Sequence, residues 1–362
     1  MTQPTDNHPI LTLFTELLSV PAPSGYEGQI AEIVRNRLAQ WGYESHTDGA
    51  GNITVRLPGR QPDAPLLCLA AHMDEIGFVV TGIEADGALR VDRSGGLHPW
   101  KHGEGMVEVL GDTGSITGVL SMGSTHTTKA GGAIEWAQVR VITGLTPAQL
   151  AAQGIRPGSA GVPVRGVCGP HLVGDPADPL VAAWTFDDRM GVVALLLLLE
   201  TLHREELTPL RPTLIAFTVG EEVGGLGAKI VAARERPETF IAVDGCPIPP
   251  GAPLTLDSRP GIWVKDRVAP YDQQLVRDLC RAAEEAGTAL QPVAYDSAAS
   301  DASLVYAVGH TERIACFGHV RENSHGYEVA RLAVFENVVK TLVQFVTTWT
   351  GTTGTETTGG AG

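Results

Sequence analysis

Residues 213–225 read TLIAFTVGEEVGG. The run 213–219 is apolar and β-favouring, preceded by Pro212 and followed by Gly220, a pattern that predicts a buried strand. Glu221 and Glu222 stand directly past its carboxyl end. Two adjacent carboxylates do not belong to a core. Ionised side by side, each raises the other's pKa, so the pair needs open water or a cation. For an isolated Glu-Glu pair a solvated turn is the plain reading. The same event at other strand ends argues against it.

Upstream, residues 65–71 read PLLCLAA and run into His72-Met73-Asp74-Glu75. A continuous apolar run suits a strand covered on both faces. His72 could be a hydrogen-bonded core histidine, but the His-x-Asp spacing lets Asp74 orient a ligating imidazole. Residues 182–186 predict a short strand followed by Asp187-Asp188 and an apolar helix from Met190 to about His203. An aspartate there can simply cap that helix. Residues 238–243 form another apolar stretch, ending in Asp244, and the predicted strand 313–317 precedes a loop carrying His325. In the polar loop 295–303, Asp301 suits a cap on the short helix that follows.

In open α/β sheets, ligands bind outside the carboxyl ends of the strands. His72, Asp187, Glu221, Glu222, Asp244 and His325 all arrive at such ends. A His/carboxylate set without cysteine suits Zn²⁺, Co²⁺ or Mn²⁺ rather than a structural thiolate zinc. Five ligands with one shared carboxylate suit two ions, which polarise a carbonyl and acidify a water. The remaining carboxylate can take that water's proton.

Around this α/β framework the texture changes once. Between 76 and 174 helical periodicity almost vanishes. Alternating stretches at 76–83, 88–92, 115–121 and 137–142 are separated by glycine-rich turns, Gly131-Gly132 among them. This predicts a β-rich module inserted at 76–174 between the halves 1–75 and 175–350 of an α/β domain. Its one clear helix is 146–152. His98 and His102 flank Pro99, and with Gly103 they read as loop rather than as a second metal site. Ser24, three residues before Glu27, reads as a capping box for the helix that ends near Trp41. Residues 351–362, GTTGTETTGGAG, lack core formers and read as a disordered tail.

The chain has 362 residues with 26 basic and 41 acidic side chains, hence a net charge of −15. That balance argues against nucleic acid or an anionic membrane as partner. No stretch is long and apolar enough for a membrane span, and the first residues lack a signal-peptide pattern, so a cytoplasmic location is expected. The five cysteines are widely spaced with no CxxC and read as reduced thiols.

The segments AHMDEIGF, FDDR, the EEVG motif, the AVDG strand end and the late ENSHGYEV together resemble the dinuclear metallo-aminopeptidases of the glutamyl aminopeptidase/TET type, peptidase family M42. The resemblance implies a mixed-sheet α/β/α catalytic domain with an inserted PDZ-like β-barrel that serves dimerisation, and homo-oligomers from dimer to dodecamer. It implies that His72 binds one metal, Asp187 bridges two, Glu222 joins one site and Asp244 the other, and His325 completes the set. Glu221 becomes the general base or acid, Asp74 orients His72, and a cis peptide joins Asp187 to Asp188. Short peptides are the implied substrates. Residues 142–158 and 297–302 depart from the family's usual pattern there, but Asp301 keeps the aspartate of the second motif, and the resemblance gives it a substrate-binding role beside the competing reading as a helix cap. A dinuclear deacylase of N-acyl amino acids, or a non-catalytic assembly module on the same fold, are the competing readings. Loss of activity on N-acetylated substrates separates an aminopeptidase from the first, and bound metal with arylamide cleavage separates it from the second.

Overall fold

The computed structural model describes residues 8–124, 126 and 133–351; Gly131-Gly132 and residues 352–362 of the expected tail lie outside them. An eight-stranded mixed sheet forms the frame, in the spatial order His46–Thr47, Ile53–Leu57, Thr213–Thr218, Leu67–His72, Thr239–Val243, Arg313–Gly318, Gly261–Lys265, Gln291–Ala294. Its centre is parallel: Thr213–Thr218, Leu67–His72, Thr239–Val243 and Arg313–Gly318 run the same way, with Ile53–Leu57 and Gly261–Lys265 antiparallel at their flanks. All residues of these four central strands are buried, as their unbroken apolar runs require of strands covered on both faces.

Helix Arg189–Arg204 packs against Leu67–His72, and Pro9–Leu18 and Leu332–Thr348 pack against it in turn. Its residues 192–199 are apolar on every side, and it is buried nearly throughout. Helices Leu226–Glu235 and Asp301–Ala307 pack on each other and on the sheet. Gln273–Glu285 is amphipathic and is capped by Asp272, which accepts from the Leu275 N–H.

A closed antiparallel barrel of six strands follows the His72 strand: Gly77–Ile83, Leu89–Ser94, Arg140–Ile142, Ser115–Ser121, Gly105–Leu110 and Ala160–Pro163 around the ring. Ser115–Ser121 alternates exposed and buried along its length, the period of a strand with one wet face. The barrel has its own core, including Phe78, Val91, Val107, Val109, Leu120 and Val141, distinct from the larger core of the sheet and helices. A separate three-stranded sheet joins His171–Val173, Leu180–Trp184 and Tyr327–Arg331.

Several local expectations are corrected. Pro99–His102 is one helical turn, because Pro99 sits at its first position, where no amide donor is needed. Gly103 ends it with positive φ. His98 stacks on Trp100, and His102 packs between Phe78 and Trp184. The stretch 137–142 is a 3₁₀ turn, Trp136–Gln138, followed by a shorter strand. Ser24 does not cap Gly28–Gln40, whose N-cap is Glu27 without a side-chain bond; its hydroxyl goes to Asp74 instead.

Candidate metal centre

The parallel strands deliver their last residues to one edge. His72 is the final residue of its strand, Asp244 follows Thr239–Val243, and the Glu221-Glu222 turn follows Thr213–Thr218. Asp187 comes from the turn between Leu180–Trp184 and helix Arg189–Arg204, through a cis peptide to Asp188. Asp188 caps that helix, accepting from the Gly191 N–H, so the pair divides between cap and cleft. His325 lies in the left-handed region, φ 58°, uncommon for a residue with a Cβ.

These side chains converge. One group unites His72, Asp187 and Asp244, a second unites Asp187, Glu222 and His325, and within each the ligand atoms lie within 4.8 Å of one another. Asp187 belongs to both. Its Oδ1 is 3.1 Å from His72 Nε2, and its Oδ2 is 3.4 Å from His325 Nε2. His325 Nε2 is 3.7 Å from Glu222 Oε1. Glu221 stands beside the groups, its Oε2 3.9 Å from His72 Nε2. Asp187, Glu221, Glu222, Asp244 and His325 line a cleft of about 380 Å³, with His72 buried beside Asp187.

The donor set fits divalent cations. Each histidine donates from Nδ1 to a backbone carbonyl, His72 to Asp74 at 3.0 Å and His325 to Gly96 at 3.1 Å. A carbonyl only accepts, so the neutral ring keeps its proton on Nδ1 and presents the Nε2 lone pair to the centre. Glu222 Oε1 is buried without a hydrogen-bond partner among the described residues. Burial pushes Glu222 up to about 7, against the pull of His325. Burial, with Asp187 alongside, pushes Asp244 up to about 6. Glu221 is raised well above the carboxylate range, chiefly by burial. Buried carboxylates set this close to one another and to two imidazole Nε2 atoms suit a divalent cation.

Asp74 does more than its spacing suggested. The nearest Asp74 atom to His72 Nδ1 is its carbonyl oxygen; its carboxylate Oδ1 is 3.4 Å away. The carboxylate accepts the N–H groups of Glu221 at 3.0 Å and Glu222 at 3.2 Å, and the Ser24 hydroxyl at 2.7 Å. It therefore sets the glutamate turn as well as the imidazole. Burial works to raise its pKa, but His72, Ser24 and the amide of Glu221 outweigh it and hold the carboxyl low.

Asp301 is buried and is not among the residues lining the cleft. The cap of its helix is Ser300, in a capping box with Ser303. Asp301 Oδ2 accepts from the Thr218 hydroxyl at 2.8 Å, under the glutamate turn.

Two residues went unassigned in the sequence reading. Arg321 bonds Asp187 Oδ2 and reaches Glu328 Oε1 at 2.8 Å. Glu328 accepts the N–H of Asp187 at 3.0 Å and that of His325 at 3.3 Å. The His-x-x-Glu spacing of SHGYE was the available signal. Its meaning depends on the antiparallel pairing of Tyr327–Arg331 with Leu180–Trp184, which sets Glu328 opposite Ala183.

A family model described as M42 glutamyl aminopeptidase matches residues 51–341. The glutamyl aminopeptidase of Lactococcus lactis subsp. cremoris (strain MG1363) is 32 % identical over 239 residues, 64 % of this chain and 65 % of that protein. The lysyl aminopeptidase of Pyrococcus furiosus is 29 % identical over 240 residues, again 64 % of this chain and 65 % of that protein. The matched region thus spans 65 % of the length of each of these curated relatives. The TET1 peptidase of Pyrococcus horikoshii, described as assembling into a tetrahedron or a large octahedral shell, superposes with a TM-score of 0.82 at 26 % identity, covering 93 % of this chain and 99 % of that one.

Proposed function

Because the chain belongs to the M42 glutamyl aminopeptidase family, we propose that it is a metal-dependent aminopeptidase removing N-terminal residues from short peptides. The observation that carries the reading is the pair of ligand groups that share Asp187, a residue lining the cleft. His72, Asp187 and Asp244 would hold one divalent ion, and Asp187, Glu222 and His325 a second; Zn²⁺, Co²⁺ and Mn²⁺ suit these donors. When bound, such ions polarise the scissile carbonyl and lower the pKa of a water.

The chain's own residues supply the rest. Glu221 belongs to neither ligand group, and its Oε2 faces the centre. It takes the proton of the attacking water and passes it to the leaving amine nitrogen. Asp74 fixes the backbone of both glutamates, so metal binding and proton transfer stay divided between neighbours. Arg321 bonds Asp187 Oδ2 and Glu328 accepts the Asp187 N–H, which fixes the carboxylate with Oδ1 toward His72 and Oδ2 shared between Arg321 and His325.

The reading extends to organisation. Residues 76–174 form an inserted barrel domain within a catalytic domain built from 1–75 and 175–350, supported by the two separate cores. The chain works as a homo-oligomer, by likeness to the TET1 peptidase. Five free thiols suit a cytoplasmic location.

The test is a metal analysis of the purified protein with a panel of aminoacyl arylamides, free and N-acetylated. About two divalent ions per chain and cleavage of the free-amine substrates alone are expected. Protein that holds no metal and cleaves no arylamide after Co²⁺ or Zn²⁺ is added would end the proposal.

A further inference from the structure

Among the described residues, one cation in the cleft is uncommitted. Arg267 lines it together with Ser297, Ala298 and Ala299. The cleft's other arginine, Arg321, is engaged by Asp187 and Glu328. Among the described residues the Arg267 guanidinium has no ion-pair or hydrogen-bond partner, and the residue is exposed. The carboxylates nearest to it along the chain and on the facing loop are taken. Asp266 is buried and spends its oxygens on the Val268 N–H at 2.7 Å, the Ala269 N–H at 2.9 Å and the Tyr271 hydroxyl at 3.0 Å. Asp296 pairs with Lys265 at 2.6 Å.

The base of Arg267 is nevertheless rigid. Its N–H donates to the Ala298 carbonyl at 3.0 Å, and the Asp266 N–H to the Ala269 carbonyl at 3.0 Å. Tyr271 links this turn onward to Ser300 at 2.7 Å. The turn and the loop 297–299 are thus knitted together, and Arg267 shares its part of the cleft lining with the small side chains of Ala298 and Ala299. The opposite chemistry, Asp187, Glu221, Glu222 and Asp244, lines the same cleft. A free Arg in a chain of net charge −15 is a point of attraction for a carboxylate, which it can bind through two parallel N–H donors.

From this arrangement we infer that Arg267 is a specificity-determining residue that binds a carboxylate of the substrate while the substrate's amine lies toward the acidic groups. The inference rests on the aminopeptidase reading of the cleft. That carboxylate belongs either to an acidic N-terminal side chain or to the chain terminus of a very short peptide.

Two substrate ratios separate these sources: glutamyl- against leucyl-arylamide, and Leu-Leu against Leu-Leu-amide. In Arg267→Ala, one of the two ratios of kcat/KM falls at least tenfold, mainly through KM, and Arg267→Lys restores part of it. A fall in the first identifies the side chain as the ligand, a fall in the second the chain terminus. Arg267→Glu should favour lysyl-arylamide over glutamyl-arylamide. Both ratios staying within twofold of wild type in Arg267→Ala, or all substrates declining in parallel, overturns the assignment. Calorimetric binding of L-glutamate against L-glutamine is the readout independent of turnover. If wild type cleaves nothing yet prefers glutamate by an amount that Arg267→Ala abolishes, the carboxylate site stands and the aminopeptidase reading falls. If wild type neither cleaves nor discriminates between the two, both fall.

Discussion

Glu221 and Glu222 are adjacent in the chain but differ in surroundings, and the difference is measurable. Glu222 joins Asp187 and His325 in a ligand group; Glu221 joins neither group. Glu221→Gln keeps the shape and removes the proton-accepting oxygen. The expected outcome is metal content at the wild-type level with turnover lower by roughly 10²- to 10⁴-fold. Metal loss as large as the activity loss would reverse the two roles. The same crowding sets the pH response of the metal-free chain. Burial holds Glu222 up to about 7 and, with Asp187 alongside, Asp244 up to about 6, against ordinary values near 4. A carboxyl raised in the folded state binds more protons folded than unfolded between the two values. Its stabilising contribution is therefore complete at low pH and lost as pH rises through the folded value. His325, raised to about 10 chiefly by Glu222, acts with the same sign at higher pH. The melting temperature of metal-free protein should accordingly fall between about pH 5 and pH 8, and added divalent metal should flatten the slope. A melting temperature that climbs over that interval would contradict the crowding.

At the scale of elements, the central strands were legible because a doubly covered parallel strand is an unbroken apolar run, and the residue after it is read off directly. His72, Asp244 and the two glutamates follow from that local rule. Gly105–Leu110 and Ala160–Pro163 did not stand out, since one begins with glycine and the other is four residues ending in proline. The pairings that close the barrel through them, with each other and between Ala160–Pro163 and Gly77–Ile83, join segments far apart in the chain. Ser24, Gly96 and Arg321 were illegible as site residues for the same reason, because each reaches the centre only through tertiary pairing, and Glu328 carried no more than its His-x-x-Glu spacing. Glu75 is the sharpest case. It follows the metal-centre strand and is fully buried, meeting Arg189 at 2.7 Å, Arg165 at 3.1 Å, Trp184 Nε1 at 2.9 Å and the Ala22 N–H at 2.8 Å. Arg189 begins the central helix, and Arg165 follows the last barrel strand. Glu75→Ala leaves the wholly buried Arg189 without its counter-charge, a loss of about 3–5 kcal/mol in denaturant unfolding. A shift below about 1 kcal/mol would mean that the network is not a structural joint between barrel and helix.

At the scale of the whole molecule, the outside of the barrel carries a feature that a solitary chain does not explain. Met106 pairs with Val119, and Val119 pairs with Ile142, across three neighbouring strands. The three side chains are 47 %, 41 % and 55 % exposed and form an apolar stripe, while Trp100 stands 64 % exposed elsewhere on the surface. Directly paired residues on adjacent strands share a face, so the stripe is continuous by register rather than by chance of surface composition. Continuous exposed apolar surface marks an interaction site. On the proposed reading of the chain as a homo-oligomer, a second copy of the chain is the partner to test for this stripe. Placing a charge at the middle of the stripe tests this with little risk to the barrel core, because Val119 points outward. Val119→Asp should lower the mass measured by light scattering toward the 38.1 kDa of one chain, while the metal centre, which takes its ligands from other elements, keeps its ions. An unchanged mass would place the contacts between copies elsewhere. A drop in mass with loss of bound metal would show that the centre depends on assembly.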